Sequence, residues 1–221
     1  MAIVFTGDEF ADGGNFIAKT LKENNVKASF FFTGRFYRNP EFKKIIQQLK
    51  KDRQYLGAHS NEHLLYNDWS KRDSLLVTKK QFQTDLLKNY REMQRFGISK
   101  NNAKFFLPPF EWYNDSITIW TKQLGPQLIN YSPGILSHTD YTTPDAKNYR
   151  SSETIFTSIK NFGIKSPSGL NGFILLVHIG TDPKRTDKFY YQIPQLLQWL
   201  KKKNYELVRV DELLKSAAGN N

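Results

Sequence analysis

Short apolar runs alternate with longer amphipathic segments along the whole chain, and this pattern constrains the fold more than any other feature of the sequence. Such alternation is typical of successive βα units that build a parallel sheet. Periodicity alone leaves an open doubly wound sheet possible, but this many units favour a closed or nearly closed (β/α) barrel. We predict about seven parallel strands, at residues 3–6, 28–33, 55–58, 104–107, 127–130, 172–177 and 206–210.

The segments between these runs have the spacing of helices that bury one stripe against a sheet. Apolar residues fall at i, i+3, i+4 and i+7 from position 42 and again from position 193, and the same spacing from position 117 holds Ile, Trp, Thr and Leu. A longer helix is predicted over residues 79–95, ended by Gly97. We find no repeat, low-complexity segment or long Pro, Gly or Ser linker, so we predict a single domain over residues 1–221.

Composition limits the partners and the chemistry. The formal net charge of +11 favours anionic partners without choosing among them, and the absence of an arginine-rich arm or recognition helix argues against nucleic acid. The absence of cysteine excludes disulfides and thiolate metal sites. No apolar run approaches the roughly 18 to 20 residues of a membrane-spanning helix, so no transmembrane segment is predicted. The sequence does not indicate an oligomeric state.

The residue types that most often carry chemistry lie where predicted strands end. Because the carboxyl ends of the strands of a βα barrel form one face, residues distant in sequence are expected to meet there. These residues are Asp8 and Glu9 after the first strand, His59 and His63 after the third, Asp140 beyond the fifth and His178 at the end of the sixth.

His59 and His63 are four residues apart, in Ala-His-Ser-Asn-Glu-His. On a helical turn this spacing places both imidazoles on one face, within reach of a single Zn²⁺ ion. An isolated pair with this spacing is more often a pair of exposed polar side chains. The strand-end position and the nearby acidic residues favour the metal interpretation.

Asp8 and Glu9 follow an apolar strand directly, so a turn there would direct both carboxylates towards a pocket. One would bind the metal while the other accepts a proton from water. The alternative is helix capping and ordinary surface charge around Gly7.

His178 emerges from the predicted buried strand at 172–177. Such a histidine is either a hydrogen-bonded core residue or an acid/base group, and the strand pattern does not distinguish the two. Earlier in the chain, the segment 109–113 is rigid and aromatic. It suits a surface on which sugar rings stack beside one carboxylate, although a packed loop is the ordinary explanation. Its candidate substrate-binding residues are Pro109, Phe110, Glu111, Trp112 and Tyr113.

Taken in order, these segments resemble the five motifs of the polysaccharide deacetylase family, the NodB-homology domain of carbohydrate esterase family 4. The family motif Thr-Phe-Asp-Asp is similar to Thr-Gly-Asp-Glu at 6–9, and His-Ser/Thr-x-x-His matches residues 59–63. Arg-Pro-Pro-Tyr is similar to Leu-Pro-Pro-Phe at 107–110. The Asp-Trp pair is similar to Asp-Tyr at 140–141, and Leu-x-His matches residues 176–178.

The resemblance implies a distorted (β/α) barrel and metal-dependent removal of N- or O-acetyl groups from a polysaccharide or oligosaccharide. It implies an exported protein whose leader is absent from this sequence, although the residues themselves also leave a cytoplasmic chain open. It also implies a divalent metal, which we expect to be Zn²⁺. By family analogy Asp8 is the general base, His178 the general acid and Asp140 part of the catalytic set. Glu9, His59 and His63 are the implied metal ligands.

The chain departs from the family pattern at several positions. Leu107 stands where the family has the arginine that orients the base, so we expect Asp8 to lack a charge partner. Glu9 is one methylene longer than the usual ligand, and Phe110 replaces tyrosine. These departures leave two rivals: a catalytically impaired carbohydrate-binding protein on the same fold, and a barrel glycoside hydrolase that uses Asp8 or Glu9 with Glu111. The histidine pair has no role in the second.

Overall fold

The computed structural model describes residues 1–218, with side chains for residues 1–215. Within that range six parallel strands form one sheet in the order β5-β4-β3-β2-β1-β6. Residues 219–221 of the predicted domain lie outside the described residues. The strands are β1 (Ala2–Gly7), β2 (Ser29–Phe32), β3 (Tyr55–Ala58), β4 (Phe105–Phe106), β5 (Gln127–Leu128) and β6 (Ile174–His178).

Helices connect the strands and pack on the outer face of the sheet. The predicted helices at 42–49, 79–95, 117–124 and 193–200 are confirmed as α3, α4, α5 and α7. No helix among residues 1–218 is long and apolar enough to cross a membrane. The helices are α1 (Gly14–Glu23), α2 (Gly34–Arg38), α3 (Lys43–Lys51), α4 (Lys79–Gln94), α5 (Asp115–Gln123), α6 (Ser152–Lys165), α7 (Ile193–Lys202) and α8 (Val210–Ala218).

Alternate residues of each strand point to opposite faces of the curled sheet, which creates two apolar layers. In β1, Ile3 and Phe5 belong to the large core between the sheet and the helices. Ala2 and Val4 belong instead to a smaller inner core, which also contains residues of β2, β3, β4 and β6. The inner core fills the lower part of the barrel, so the polar residues above it face a cavity rather than a channel.

The sheet curls until its two outer strands nearly meet. The backbone N–H of Ser132, just after β5, donates a hydrogen bond of 2.9 Å to the carbonyl of Ile174 in β6. The N–H of Ile174 donates in return to the Ser132 hydroxyl at 3.0 Å. The prediction of a distorted, nearly closed parallel (β/α) barrel is therefore confirmed.

The prediction of a seventh strand at 206–210 was wrong. Residues 205–209 form no strand, and α8 begins at Val210. The segment lies beside the beginning of β1, where the N–H of Val208 donates to the carbonyl of Met1 at 3.1 Å and the amino group of Met1 donates to the carbonyl of Glu206 at 2.8 Å. Its apolar pattern has another cause, because Leu207 packs against the large core and Val210 belongs to the inner core at the lower end of the barrel.

Candidate functional site

The inner-face alternation continues past the strand ends and brings the predicted residues together. The cavity above the inner core has a volume of about 680 Å³. Asp8, Glu9, His59, His63 and His178 all line it, as the sequence predicts. Convergence follows from the fold, since these residues end three different parallel strands on one face.

Asp8 has a charge partner, so the expectation drawn from Leu107 was wrong. The guanidinium of Arg35 donates to both carboxylate oxygens of Asp8, through Nε to Oδ1 at 3.0 Å and through a terminal nitrogen to Oδ2. Thr33 Oγ1 donates to Oδ1 at 2.7 Å. A bidentate guanidinium fixes both the charge and the orientation of a carboxylate.

Local structure explains why Arg35 reaches Asp8. Thr33 directly follows β2 and caps α2, because its hydroxyl accepts a hydrogen bond from the N–H of Phe36 at 3.1 Å. Arg35 therefore lies in the first turn of a helix that starts beside β1. The Leu107 side chain is fully buried in the inner core and offers Asp8 no charge.

The histidine pair lies in an irregular turn rather than on the helical turn that its spacing suggested. Ser60 and His63 both adopt left-handed backbone conformations, with φ of 70° and 53°. The N–H of His63 donates to the Ser60 hydroxyl at 2.9 Å, which closes the turn. The two imidazole rings still meet, with centroids 5.1 Å apart.

Both histidines of the pair are arranged to be neutral. His59 donates from Nδ1 to the carbonyl of Leu107 at 2.7 Å, which leaves its Nε2 lone pair free. Burial lowers the pKa of His59 well below its ordinary value and lowers the pKa of His63 to about 4. A neutral imidazole with its other ring nitrogen bound to a carbonyl is the usual form of a histidine metal ligand.

Asp85 supports this turn, and our sequence reasoning missed it. Its carboxylate accepts hydrogen bonds from the N–H groups of Asn61 at 2.9 Å and Glu62 at 3.1 Å. The sequence carries a signal, since Asp85 falls on the same face of α4 as Phe82 and Leu86, where an acid is unexpected. A buried carboxylate that holds two backbone N–H groups keeps the turn in one conformation.

His178 lies at the end of β6, on the other side of β1 from the histidine pair, and it pairs with Asp140. The Asp140 carboxylate accepts hydrogen bonds from Nδ1 of His178 at 2.6 Å and from its backbone N–H at 2.9 Å. Burial disfavours the imidazolium, but Asp140 outweighs burial and raises the pKa of His178. Because 21% of the His178 side chain remains exposed, the ring is accessible from the cavity.

The aromatic segment after β4 divides into two parts. Phe110 and Glu111 line the cavity, and both adopt left-handed conformations, with φ of 58° and 53°. Trp112 and Tyr113 lie outside the cavity lining, with the Arg72 guanidinium 4.4 Å and 5.4 Å from their ring centres. Pro109 is buried.

Glu111 is a carboxyl group in an unfavourable position. Burial raises its pKa from the ordinary 4.5 to about 7, and Asp140 acts in the same direction while His178 opposes it. Among residues 1–215 no side chain donates a hydrogen bond to its carboxylate. Strained backbone at two successive residues together with an unpaired carboxyl group is typical of a functional position.

We expect Glu111→Gln to stabilise the protein much more at pH 8 than at pH 5. The raised pKa means that the folded state holds its proton longer than the unfolded chain, so stability is lost as the pH rises from about 4.5 through 7. Glutamine removes this loss, a gain of about 1–3 kcal/mol at pH 8. Urea denaturation at both pH values measures it, with exposed Glu41→Gln as control. An equal gain at pH 5 would contradict the assignment.

The cavity wall also contains His138, Tyr131, Tyr141 and Trp69, of which our sequence reasoning missed His138 and Tyr131. His138, the one of the four histidines that the motifs do not contain, stacks on Tyr131 with ring centroids 5.0 Å apart. Tyr141 lies 4.9 Å from the ring of His178. Trp69 is exposed and contacts Phe110 at 5.6 Å. These aromatic groups give the cavity a wall that suits the apolar faces of sugar rings.

A buried arginine, also missed, holds the loop that carries Asp140. The Arg185 side chain is fully buried and donates to the carbonyls of Thr142 at 2.6 Å and Arg150 at 2.9 Å. Its guanidinium lies 5.1 Å from the ring centre of Tyr149. Arg185 therefore fixes the loop at both ends, and with it the position of Asp140.

The donor chemistry for a metal fits in kind, but the geometry lacks a third ligand. His59 and His63 present two neutral imidazoles to the cavity. Glu9 is 62% exposed, with a carboxylate oxygen 3.7 Å from Arg35. Accordingly, within residues 1–218 no group of three His, Asp or Glu side chains is close enough to hold an ion.

Comparison with solved structures confirms the (β/α) barrel fold. A carbohydrate esterase family 4 pseudoenzyme from Bacillus anthracis superposes with a TM-score of 0.71 at 18% identity, over 96% of this chain and 64% of that one. The Bc1960 peptidoglycan N-acetylglucosamine deacetylase gives 0.74 at 17% identity, over 96% and 86%. An acetyl xylan esterase from Clostridium thermocellum, solved with a cobalt ion, gives 0.72 at 20% identity, over 97% and 89%.

The chain belongs to the polysaccharide deacetylase family. The family's sequence profile matches residues 7–129, a span that contains Asp8, the histidine pair and the segment after β4. A comparison with curated protein sequences found no match. The predicted family is therefore confirmed, while the roles of individual residues stay predictions.

Proposed function

We propose that this protein is a metal-dependent hydrolase that removes N- or O-acetyl groups from a polysaccharide or oligosaccharide. The observation that carries the proposal is that one cavity contains both Asp8, a carboxylate bound by an arginine, and His178, an imidazole bound by a carboxylate. A base and an acid held separately in this way are what hydrolysis of an amide or ester needs.

In this mechanism the chain's own residues bind, orient and move protons. Asp8, held by Arg35 and Thr33, accepts a proton from the attacking water. His178, whose protonated form Asp140 stabilises, donates a proton to the leaving amine or alcohol. The backbone N–H of Phe110 is the proposed donor to the oxyanion.

His59 and His63 would hold the metal, with Glu9 as the carboxylate ligand, and Zn²⁺ is the proposed ion. When bound, a divalent ion polarises the acetyl carbonyl and lowers the pKa of water. The proposed substrate is an acetylated glycan outside the cytoplasm. Trp69, Phe110 and Glu111 are the proposed sugar contacts, with Trp112 and Tyr113 as a second surface behind them.

We expect acetate release to require the histidine pair. Protein incubated with Zn²⁺ and then dialysed should retain about one equivalent, and His59→Ala with His63→Ala should retain none, because two neutral imidazoles are lost. The measurements are elemental analysis and acetate release from acetylated chitooligosaccharides and acetylated xylooligosaccharides. His138→Ala is the matched control, since it removes a cavity histidine outside the pair. Metal retention by the double variant would refute the metal assignment.

A carbohydrate-binding protein without turnover is the second candidate. The position of Glu9 beside Arg35, rather than beside the histidine pair, favours it. This candidate predicts oligosaccharide binding with no acetate release at any metal concentration. Acetate release by wild-type protein, lost on chelation and restored by metal, would exclude it.

A further inference from the structure

A second cavity of about 630 Å³ lies away from the candidate site, between α2, α3 and the end of α4. Five of its lining side chains are cationic and none is acidic. We call it the cationic cleft, defined by Arg38, Lys43, Lys50, Lys51 and Arg95.

The helical register of α3 builds one wall of the cleft. Lys43, Lys50 and Lys51 fall at i, i+7 and i+8, which is one face of the helix. The opposite face carries the buried Ile45, Ile46 and Leu49. Packing of that apolar face against the sheet therefore fixes the three lysines together on the outer side.

The positive charge of the cleft is only partly neutralised. Arg38 pairs with Glu62 at 2.7 Å, and Arg95 pairs with Glu92 at 2.8 Å. Lys50 donates to the carbonyl of Phe96 at 2.7 Å and so keeps its charge uncompensated. Within residues 1–215 the side chains of Lys43 and Lys51 form no hydrogen bond or ion pair. Three unpaired ammonium groups around one concave surface attract an anion more strongly than the same charges dispersed.

The cleft is connected to the candidate site. Arg38 donates to the Asn61 side chain at 2.7 Å, and it pairs with Glu62. Both partners lie in the turn between His59 and His63. The cationic cleft therefore adjoins the turn that carries the histidine pair.

We propose that the cationic cleft binds an anionic polysaccharide, through carboxylate or phosphate groups repeated along its chain. That the same polymer also occupies the cavity rests on the proposed function, whereas binding in the cleft does not. Single-stranded nucleic acid fits less well, because the cleft offers no exposed ring for base stacking: Tyr37 is 3% exposed, and Phe96 packs against it at 5.5 Å. A lipid surface fits less well because the cleft is concave.

The test compares two double variants that each remove two exposed lysines. Lys43→Gln with Lys51→Gln changes the cleft, and Lys202→Gln with Lys203→Gln changes the end of α7 by the same charge. Binding of polygalacturonate, dextran phosphate and neutral dextran is measured by calorimetry at low and physiological salt. We expect the anionic polymers alone to bind, and the cleft variant to bind about tenfold more weakly.

The outcomes separate this proposal from its rivals. Wild-type affinity in the α7 variant, beside weaker binding by the cleft variant, would support the proposal. Whichever anionic polymer binds more tightly would show whether carboxylate or phosphate is the recognised group. Equal weakening in both variants would show that net charge alone acts, and no binding of either anionic polymer would refute the proposal. Tighter binding of a single-stranded oligonucleotide, weakened by the cleft variant, would replace the polysaccharide with nucleic acid. Because binding is read without turnover, its failure is distinct from a failure of the proposed hydrolysis.

Discussion

Asp8→Asn is expected to lower the rate of acetate release by about 10²–10⁴-fold while leaving the fold intact. The amide keeps the shape of the carboxylate and still accepts from Thr33 and Arg35 through its oxygen, but it takes no proton from water. The measurement is kcat on an acetylated oligosaccharide, with metal content and thermal unfolding beside it. Asp73→Asn, at an exposed position, is the matched control.

Substitution of Arg35 separates orientation from proton transfer. Arg35→Ala should lower kcat more than it changes KM, because Asp8 remains ionisable but loses its bidentate partner. Arg35→Lys should restore only part of the rate. Leu107→Arg should not restore it, since it places an unpaired charge in the inner core at a cost of about 3–5 kcal/mol. Full activity of Arg35→Ala would show that Arg35 does not position the base.

The fold was predictable from the sequence because its signal is repeated in each βα unit. The same period-2 alternation that buries Val4 inward also carries Asp8 to the cavity, so the site residues at strand ends were predictable as well. The prediction failed at 206–210, where a short apolar pattern packs against the two cores instead of joining the sheet. Strands and packed segments of this length have the same pattern.

The partners of the site residues were less predictable than the residues themselves. Arg35 and Asp85 act through side chains that cross from one βα unit to another, and no local spacing records such a contact. A motif comparison made position 107 the only place to look for the arginine, whereas the structure supplies the same charge from the start of α2. Residues that pair across elements require the three-dimensional register, which the sequence pattern does not give.

His178→Ala is expected to lower kcat by about 10²–10⁴-fold, through loss of the acid that protonates the leaving group. The effect of Asp140→Asn is more specific. Asp140 raises the pKa of His178 against the opposing effect of burial, so its neutralisation should lower that pKa. A general acid must be protonated, so activity falls as the pH rises through its pKa. The basic limb of the pH–rate profile should therefore move to lower pH in Asp140→Asn.

This shift distinguishes a catalytic pair from a structural one. Asp140 also accepts the backbone N–H of His178, so Asp140→Asn has a structural cost that thermal unfolding measures separately. A purely structural pair would lower the melting temperature and the amount of active protein at every pH without moving the limb. The control is Tyr141→Phe, which keeps the ring beside His178 and removes only a hydroxyl group. An unshifted limb in Asp140→Asn, with the control unchanged, would show that His178 is not the acid and would move the search to Glu111, whose pKa near 7 makes it the other proton donor in the cavity.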